Sequence, residues 1–368
     1  MKKKKSICFG NIKYFLSHDK IRVSFFNIPI VKIKFYNNYS VFFLFYFFPI
    51  WLMKLQYKKI DIKLDTKNFN NINIDDTNLI NELSDIGEFT YIPNPGNMGD
   101  MLIAAATLQF FKKHNLKFNI YNGTNIAKTV VYGGGGAWIG NYKNYWQPLL
   151  EKLSKAEKII ILPSSFNDCQ HFIDSIDNRY TIFCREKKSY NYLLSRNTTA
   201  KIILDYDMAF RLNESIFDSE LNISFKEKLF LYVIYKKLKA LRSTVKFIRQ
   251  DKEAKKTQDT DLDLSLCLVS NSIFCEDFVI FATLTLLSAI DKFDTIITDR
   301  LHVGISSILM SKKLFLLDNS YGKVFEVFNH TLPNDCNICF IENLPDNFEK
   351  NTKNGTNNID ILMHNIFC

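Results

Sequence analysis

The sequence predicts an α/β protein in which two doubly wound units follow a basic, aromatic N-terminal extension. Three observations predict this fold. From Phe89 onward, short β-branched runs alternate with helical stretches, as they do in parallel sheets with connecting helices. Glycine-rich or charged segments follow several of these runs directly, where open α/β sheets bind ligands. The 368 residues, 47% hydrophobic and 23% charged, suffice for two ordinary cores.

Short runs of β-branched and aromatic residues are the predicted strands. In the first unit they are residues 89–92, 117–121, 129–132, 158–162, 180–184 and 201–204. In the second, smaller unit they are residues 245–248, 295–298, 313–317 and 338–341. The predicted organisation is an extension and linker over 1–83, a first domain over 84–213, a helical connection over 214–244, and a second domain with a C-terminal tail over 245–368. Two such units facing each other leave a cleft for ligands.

The N-terminal extension carries the basic charge of the chain. Residues 1–63 hold thirteen Lys or Arg against two Asp, whereas the remainder holds 34 against 36, which accounts for the net charge of +9. A nucleic-acid-binding face on the folded units is therefore not expected. The uncharged run 41–53 is too short to span a bilayer, which needs about 18 to 20 apolar residues. It suits either an interfacial anchor beside anionic headgroups or a small hairpin or helix packed on the main fold.

Cysteine usage favours a reducing compartment. The eight cysteines lack the short, even spacing of a secreted disulfide framework, and no signal peptide is recognisable after the lysine run 2–5. Cys336 and Cys339 form one CxxC pair without further ligands at zinc-site spacing, so no metal is expected. The predicted location is cytoplasmic and, if the extension is an anchor, peripheral on the cytoplasmic face of the inner membrane.

The first candidate motif is Asn-Pro-Gly-Asn-Met-Gly-Asp over residues 94–100, between a predicted strand and an apolar helix. Its glycines would let the backbone approach a ligand, and the N-terminus of the helix attracts anions or hydroxyl oxygens. The simpler interpretation is a turn made by Gly96 and Gly99, with Asp100 as a helix cap. The motif alone does not decide between them.

A run of four glycines, from Gly133 to Gly136, follows the predicted strand 129–132. Consecutive glycines cost backbone entropy, so a ligand-facing loop at the carboxyl end of the strand explains them better than a loop without purpose. The run is not a Walker loop, because no Lys-Ser/Thr follows it. It also lacks the GxGxxG spacing of dinucleotide-binding folds.

The segment Asp299-Arg300-Leu301-His302 follows the predicted strand 295–298 and opens a helix. Arginine offers a planar fork for phosphate or carboxylate, and histidine is a proton donor near neutral pH. In the alternative interpretation Asp299 caps the helix, Arg300 pairs with it, and His302 is a satisfied core histidine.

Three further cations occupy equivalent positions. Arg185, Arg249 and Lys323 each follow a predicted strand. Singly, each would more often be an exposed surface charge than a ligand. Because the carboxyl ends of parallel strands form the rim where open α/β sheets bind ligands, their shared placement favours an anion-binding site.

Taken together, these motifs resemble those of the polysaccharide pyruvyl transferase family. The matching segments are GNMGD at 96–100, GGGG at 133–136, REKKSY at 185–190, DMAF at 207–210, RQDKE at 249–253, TDRLHVGISSILMSKK at 298–313 and LLDNSYGKVFEVF at 316–328. Their order covers residues 87–345 and leaves out the first 85 residues and residues 214–240. Because members of the family are similar to two-domain, GT-B-type folds, the resemblance implies two Rossmann-like domains in a GT-B-like arrangement.

The resemblance also implies an enzyme of exopolysaccharide or capsule synthesis. Such an enzyme moves pyruvate from phosphoenolpyruvate to two hydroxyls of a sugar, giving a ketal and phosphate. Because no metal-ligand cluster is apparent in the sequence, the transfer is expected to need no metal, and no cofactor beyond the donor is expected. The carboxylate and phosphate of the donor call for more than one cation, and Arg185, Arg300 and Lys323 match that need. His302 would be the general acid that protonates the methylene carbon.

The acceptor side follows from the same resemblance. Asn97 and Asp100 would face the sugar, which would be carried on a lipid, and Asp100 would help to deprotonate its hydroxyl. Gly134 and Gly135 would complete the substrate-binding loop.

Two other functions compete with this one. An ordinary GT-B glycosyltransferase would use the same two domains and glycine-rich loop, but its nucleotide-sugar donor needs room and contacts for a base, whereas phosphoenolpyruvate needs a compact cluster of cations. The second competitor is a non-catalytic scaffold docked on the membrane by the basic extension. The presence of both Arg300 and His302 in their motif argues against a scaffold.

Overall fold

The structure is a computed structural model that divides the chain into two compact units. It describes the backbone of strands between residues 5 and 61, and residues 69–343 except 125, 141–148, 152, 197, 224–233, 235–237, 239–240, 242, 252, 255–258, 269–274, 321 and 333–337. One unit comprises Met1–Ile60, Asn222–Ala240 and Ile366–Cys368, and the other comprises Asp61–Leu221 and Leu241–Asn365. The lysine run 2–4, Cys336 and the predicted C-terminal tail beyond 343 lie outside the described residues.

The first unit contains a six-stranded antiparallel sheet in which each strand pairs with the next. Its strands are β1 (Lys5–Phe9), β2 (Ile12–Ser17), β3 (Lys20–Phe25), β4 (Ile28–Phe35), β5 (Ser40–Leu44) and β6 (Phe48–Met53). The described part of the apolar run 41–53 therefore belongs to two strands rather than to a helix. No helix in the described part of the chain is both long and apolar enough to cross a membrane. Whether the extension is an anchor stays a prediction.

The second unit contains a seven-stranded sheet in which all the strand pairs are parallel. Its strands are β8 (Phe89–Ile92), β9 (Phe118–Ile120), β10 (Thr129–Tyr132), β11 (Gly135–Ile139), β12 (Lys158–Asn167), β13 (Tyr180–Cys184) and β14 (Lys201–Leu204). A separate two-stranded sheet pairs β7 (Lys58–Asp61) with β15 (Glu220–Ile223). The continuous apolar run at the start of β12 is buried on both faces, as is usual for a central parallel strand.

The order of this sheet places a topological switch point between β8 and β10. The strands run in the order β14-β13-β12-β10-β8-β9, so the chain leaves β8 toward one edge and leaves β10 toward the other. Ligands of doubly wound folds bind outside the strand carboxyl ends at such a switch point. The segment 94–100 follows β8 and the four glycines follow β10, so both lie at this switch point.

The helices around this sheet are α1 (Thr77–Leu83), α2 (Met98–Lys113), α3 (Gln170–Ile173) and α4 (Lys187–Leu194). Helix α2 begins at the Asn97 cap and carries Asp100 in its first turn, where a negative charge faces the positive end of the helix dipole. Its last turn carries Lys112 and Lys113, and the chain turns away at Asn115 with φ 53°. Sequence and helix geometry therefore agree at both ends.

A four-stranded parallel sheet completes the second unit. It runs in sequence order as β16 (Thr244–Phe247), β17 (Thr295–Thr298), β18 (Lys313–Leu316) and β19 (Ile338–Phe340). Its helices are α5 (Glu276–Asp291), α6 (Leu301–Leu309) and α7 (Lys323–Thr331). Helix α5 is buried along most of its length and packs on α2. The mixed α/β class with parallel sheets is thereby confirmed.

Two stretches differ from the sequence prediction. Residues 77–83, inside the predicted linker, form α1, and Leu79 and Leu83 bury the apolar face of this helix. The start of the predicted helical connection is a 3₁₀ turn, Glu214–Asp218, followed by β15. Most of its remainder lies outside the described residues, although Ile234 and Leu238 are helical and buried. The predicted domain boundaries stay predictions.

Candidate active site

The first turn of α2 is fixed by reciprocal hydrogen bonds. The Asn97 side chain accepts from the N–H of Gly99 at 2.8 Å, and the Asp100 carboxylate accepts from the N–H of Asn97 at 2.8 Å. Burial raises the pKa of the Asp100 carboxyl above its usual range, against the opposing charge of His302. Asp100 is therefore both a helix cap and a carboxyl whose affinity for a proton is raised by burial.

The four glycines form a closely packed strand connection rather than a floppy loop. A Cβ on Gly134 would lie 2.6 Å from the carbonyl oxygen of Pro163, and Gly135 has φ 131°, which favours glycine. A Cβ on Gly135 would also lie 3.5 Å from the Asp100 carboxylate. Gly134 and Gly135 therefore let β11 start beside β12 and bring the loop to the first turn of α2.

Two cationic side chains lie beside Gly136. A Cβ at this residue would lie 3.4 Å from Arg185 Nη2 and also 3.4 Å from Lys323 Nζ. The first cation follows β13 and the second begins α7, so each of the two sheets contributes one. Two positive charges this close to one backbone position favour an anion between them.

Arg185 is completely buried, and two side chains accept hydrogen bonds from its guanidinium. Its Nη1 donates to Asp207 Oδ2 at 2.7 Å and its Nε donates to Ser165 Oγ at 2.8 Å. Although burial acts in the other direction, Arg185 and His302 hold the pKa of Asp207 well below its usual range. This carboxylate therefore stays ionised and orients the guanidinium.

His302 lies in the first turn of α6, with 14% of its side chain exposed. Its Nε2 is 3.5 Å from Asp207 Oδ2. Its Nδ1 lies beside Gly99, where an added Cβ would approach the nitrogen to 2.4 Å. The imidazole is thus held between the first turn of α2 and a buried carboxylate.

Lys323 starts α7 after the left-handed Gly322, which has φ 86°. Its Nζ donates to Glu253 Oε2 at 2.9 Å, and 11% of its side chain is exposed. Burial lowers the pKa of Lys323 to about 8, against the raising effect of Glu253. The lysine therefore loses its charge within a range of pH that enzymes can experience.

Arg300 has a different environment from Arg185. Its Nε and Nη2 donate to the two oxygens of Asp263 at 3.0 and 2.5 Å, and its Nη1 lies 2.8 Å from Asp251 Oδ2. Arg249 bridges Asp251 at 3.1 Å and Glu253 at 2.7 Å. A ladder of alternating charges therefore runs from Arg300 to Lys323. The role of Arg300 in donor binding stays a prediction.

The structure brings most of the predicted site residues into one constellation. Residues from α2, from the glycine run, and from the starts of α6 and α7 touch or border one another; they are Asn97, Asp100, Gly134, Gly135, Arg185, His302 and Lys323. Arg300 joins it only through the ladder. Asp207 and Glu253 lie inside the sequence motifs, but the motifs predict no role for either. Their position a few residues after a strand was the available signal.

Two open clefts lie elsewhere. They have volumes of about 640 and 660 Å³, are lined mainly by residues 71–77 and 211–215 with their neighbours, and include none of the predicted site residues. Within the part of the chain that the structure describes, no group of three or more His, Cys, Asp or Glu side chains could hold a metal ion. That the transfer needs no metal stays a prediction.

Paired cations, an imidazole and buried carboxylates at the ends of parallel strands are the parts of a group-transfer site for an anionic substrate. A family model described as polysaccharide pyruvyl transferase matches residues 97–321. This match spans more than half of the chain, so the protein belongs to the polysaccharide pyruvyl transferase family. The family predicted from the sequence is confirmed, and the protein is an enzyme of the transferase class.

Two individual proteins are similar to the chain. EpsO of Bacillus subtilis (strain 168), which carries a provisional pyruvyl transferase name, is 28% identical over 280 residues, covering 66% of this chain and 84% of EpsO. A crystal structure of a functionally uncharacterised Klebsiella pneumoniae protein superimposes with a TM-score of 0.59 and 27% identity, covering 72% of this chain and 96% of the other. The second comparison supports the α/β architecture.

Proposed function

We propose that the protein transfers pyruvate from phosphoenolpyruvate to two hydroxyls of a sugar, as a ketal, on a surface polysaccharide or its lipid-linked precursor. The observation that carries this proposal is the approach of Arg185 and Lys323 to the space beside Gly136. We also propose that the two parallel sheets of the second unit are Rossmann-like domains in a GT-B-like arrangement, as the family resemblance implies.

The donor side of the proposal depends on charge and size. Phosphoenolpyruvate has a carboxylate and a phosphate on adjacent atoms, so it needs cations close together. Arg185 offers a planar fork and Lys323 a point charge, and both lie beside Gly136, which has no side chain to separate them. The Asp207 and Glu253 carboxylates hold these two cations in place.

The proposed reaction has two steps. A sugar hydroxyl oxygen bonds to the carbon that bears the phosphate, its proton passes to the Asp100 carboxylate, and the methylene carbon takes a proton from His302. The second hydroxyl then bonds to the same carbon and its proton passes to the neutral His302. The bond between that carbon and the phosphate oxygen breaks, and Asp100 gives its proton to the departing phosphate, which closes the ketal. Positioned acid–base groups of this kind typically contribute about 10² to 10⁴ in rate.

The competing function is a glycosyltransferase with a nucleotide-sugar donor. This function would require a donor pocket with stacking and edge contacts for a base. The cations at Gly136 are instead close together, and the flanking groups are charged rather than aromatic. This arrangement supports the phosphoenolpyruvate donor over the nucleotide sugar, and the presence of a histidine beside it supports an enzyme over a scaffold.

A donor screen tests the proposal. The purified protein is incubated with a lipid-linked saccharide and either phosphoenolpyruvate or one of several nucleotide sugars, and release of phosphate and of nucleotide is followed in parallel. We expect phosphate release from phosphoenolpyruvate alone, together with a pyruvate-sized mass gain on the saccharide. Nucleotide release with sugar transfer would favour the glycosyltransferase. If none of the donors is turned over, both proposed activities are contradicted.

The proposed location is the cytoplasmic face of the inner membrane, where a lipid-linked acceptor would be reached. Thirteen basic residues within 1–63 support it, because each Lys or Arg near an anionic surface contributes about 1 kcal/mol of attraction. Replacing lysines 2–5 with Gln should weaken binding to anionic vesicles and leave turnover of a soluble saccharide unchanged. Equal vesicle binding by both proteins would contradict the membrane contact.

A further inference from the structure

Asp207 directly follows the loop that leaves β14, and it is buried at the start of the 3₁₀ turn Met208–Arg211. One carboxylate oxygen, Oδ1, accepts from the N–H of Ala209 at 2.9 Å. The other oxygen, Oδ2, accepts from Arg185 Nη1 at 2.7 Å and lies 3.5 Å from His302 Nε2. The two oxygens are thereby divided between holding the backbone and facing the site.

His302 is also constrained on its other side. Its Nδ1 lies against the first turn of α2 at a position that only a glycine can occupy, because a Cβ on Gly99 would come within 2.4 Å of the nitrogen. The ring therefore has Nε2 toward the buried carboxylate and Nδ1 toward the start of α2. Asp100 belongs to the same turn.

We propose that Asp207 is a positioning residue for His302: its Oδ2 holds Nε2–H, so that Nδ1 is the nitrogen that delivers the proton to the methylene carbon of the donor. This inference rests on the proposed function. The separation of 3.5 Å is long for a hydrogen bond, and such contacts between catalytic groups commonly shorten only when substrate binds.

The proton and the charges balance in this arrangement. Nδ1 gives its proton to the methylene carbon, and the imidazolium becomes a neutral ring that keeps Nε2–H. The Asp207 carboxylate stays ionised throughout, because Arg185 shares its Oδ2. The charged groups around the ring are then Asp207, Arg185 and Asp100. The carboxylate stabilises the charged ring before the transfer and fixes its orientation afterwards.

The same carboxylate also links the two halves of the donor site. Arg185 borders the space beside Gly136 and His302 borders the first turn of α2, and both contact Asp207 Oδ2. A displacement of Asp207 therefore moves an anion-binding group and the proton donor together. A substitution that keeps the shape of the Asp207 side chain but removes its charge can separate the effect of the charge from that of the side chain's position.

Asp207→Asn is that substitution. Asparagine has one oxygen, which the N–H of Ala209 takes, and it then presents NH₂ to the imidazole in place of an acceptor. We expect turnover to fall about 10²-fold and the pH above which turnover declines to move down by about one unit, because a neutral amide does not stabilise the charged ring. An unchanged pH profile in a folded variant would overturn the inference.

Asp205→Asn is the matched control. Asp205 is an equally buried carboxylate two residues earlier, but its partner is Arg211 at 2.6 Å and it is no part of the proposed site. Its substitution should leave the pH profile where it was. An equal shift in both variants would mean that Asp207 acts only through folding, and the inference would fail.

A measurement without turnover separates this inference from the proposed function. In protein labelled with ¹⁵N-histidine, the resonances of His302 are assigned among the six histidines by comparison with His302→Gln. We expect the neutral ring to carry its proton on Nε2 in the native chain and on Nδ1 in Asp207→Asn. A native ring protonated on Nδ1 overturns the inference, even if phosphoenolpyruvate proves to be the donor.

Discussion

Arg185 and Arg300 are both buried arginines within two residues of a parallel strand end, yet their surroundings differ. Arg185 turns Nη2 toward Gly136, while its other nitrogens face Asp207, Ser165 and, at 3.8 Å, Glu186. All three side-chain nitrogens of Arg300 lie on Asp251 and Asp263. A strand end therefore predicts that a cation lies near the site, whereas the neighbouring carboxylates decide whether it faces a ligand or braces the fold.

The energetics of the two arginines should differ accordingly. Removing one partner of a buried ion pair leaves an uncompensated charge, which typically costs about 3–5 kcal/mol of folding free energy. Arg185 has its nearest such partner in Asp207, whereas Arg300 has two close ones, in Asp251 and Asp263, and occupies the N-cap position of α6, the helix that carries His302. Removing Arg300 would thus affect His302 indirectly, by displacing the helix α6. The loss of Arg185 would reach the donor anion directly.

The largest expected effect comes from replacing His302, because this substitution tests proton donation separately from the roles of the two arginines. His302→Gln keeps the size and polarity of the side chain but cannot supply an imidazolium proton. Turnover should fall by about 10² to 10⁴, with donor affinity largely kept. Steady-state kinetics together with phosphoenolpyruvate binding by calorimetry measure the two quantities. Near-native turnover would mean that another group donates the proton.

Matched lysine substitutions test the comparison itself. Arg185→Lys keeps one charge but loses the planar fork, so the KM for phosphoenolpyruvate should rise by about 10- to 100-fold, the equivalent of about 1.5–3 kcal/mol for a lost charged hydrogen bond. Arg300→Lys should mainly lower the midpoint of thermal unfolding. If Arg300→Lys instead raises KM as much as Arg185→Lys does, both arginines bind the donor, as the sequence alone predicts.

Gly136→Ala should have a smaller effect on the donor side. The added methyl would sit 3.4 Å from both Arg185 Nη2 and Lys323 Nζ, which is ordinary contact, so the fold should tolerate it. It would lie between the two cations where the donor anion is proposed to bind, so the KM for phosphoenolpyruvate should rise about tenfold, the equivalent of about 1.4 kcal/mol. As a control, the variant should unfold thermally at the same midpoint as the native protein. An unchanged KM would place the donor elsewhere.

The smallest expected effect is a pH dependence of donor affinity. Burial lowers the pKa of Lys323 to about 8, so this cation is charged below that pH and neutral above it. Donor affinity should weaken as pH rises through about 8, by up to about tenfold for the loss of one charged contact. Lys323→Arg should flatten the profile, because arginine keeps its charge. A native profile without this decline would remove Lys323 from the donor site.

Strand positions were largely predictable from the sequence. The bounds of β10, β13, β14 and β17 agree with the predicted runs, because short, continuous apolar segments between turns are typical of buried parallel strands. β11 was missed, since it begins at Gly135 within four glycines and glycine is depleted in strands. Only the pairing with β12, which tertiary packing sets, makes that segment a strand.

Partners of the site cations were beyond the reach of sequence patterns. Arg300 pairs with Asp263 across 37 residues, and Lys323 pairs with Glu253 across 70 residues. Spacing rules apply within one helix or strand, whereas these contacts depend on how four separate strand ends converge. The motif that contains Asp207 was visible, but its carboxylate acquires a role only when β14 and α6 meet.

The contact between Gly99 and His302 has a consequence for substitution tolerance. Even alanine at position 99 would place a carbon 2.4 Å from the imidazole, closer than two such atoms can approach, so the ring or the first turn of α2 would have to move. In a saturation library screened for product, position 99 should accept glycine alone, as strictly as position 302 accepts histidine. A residue that contributes no atom to the reaction would thus be as irreplaceable as the proton donor itself.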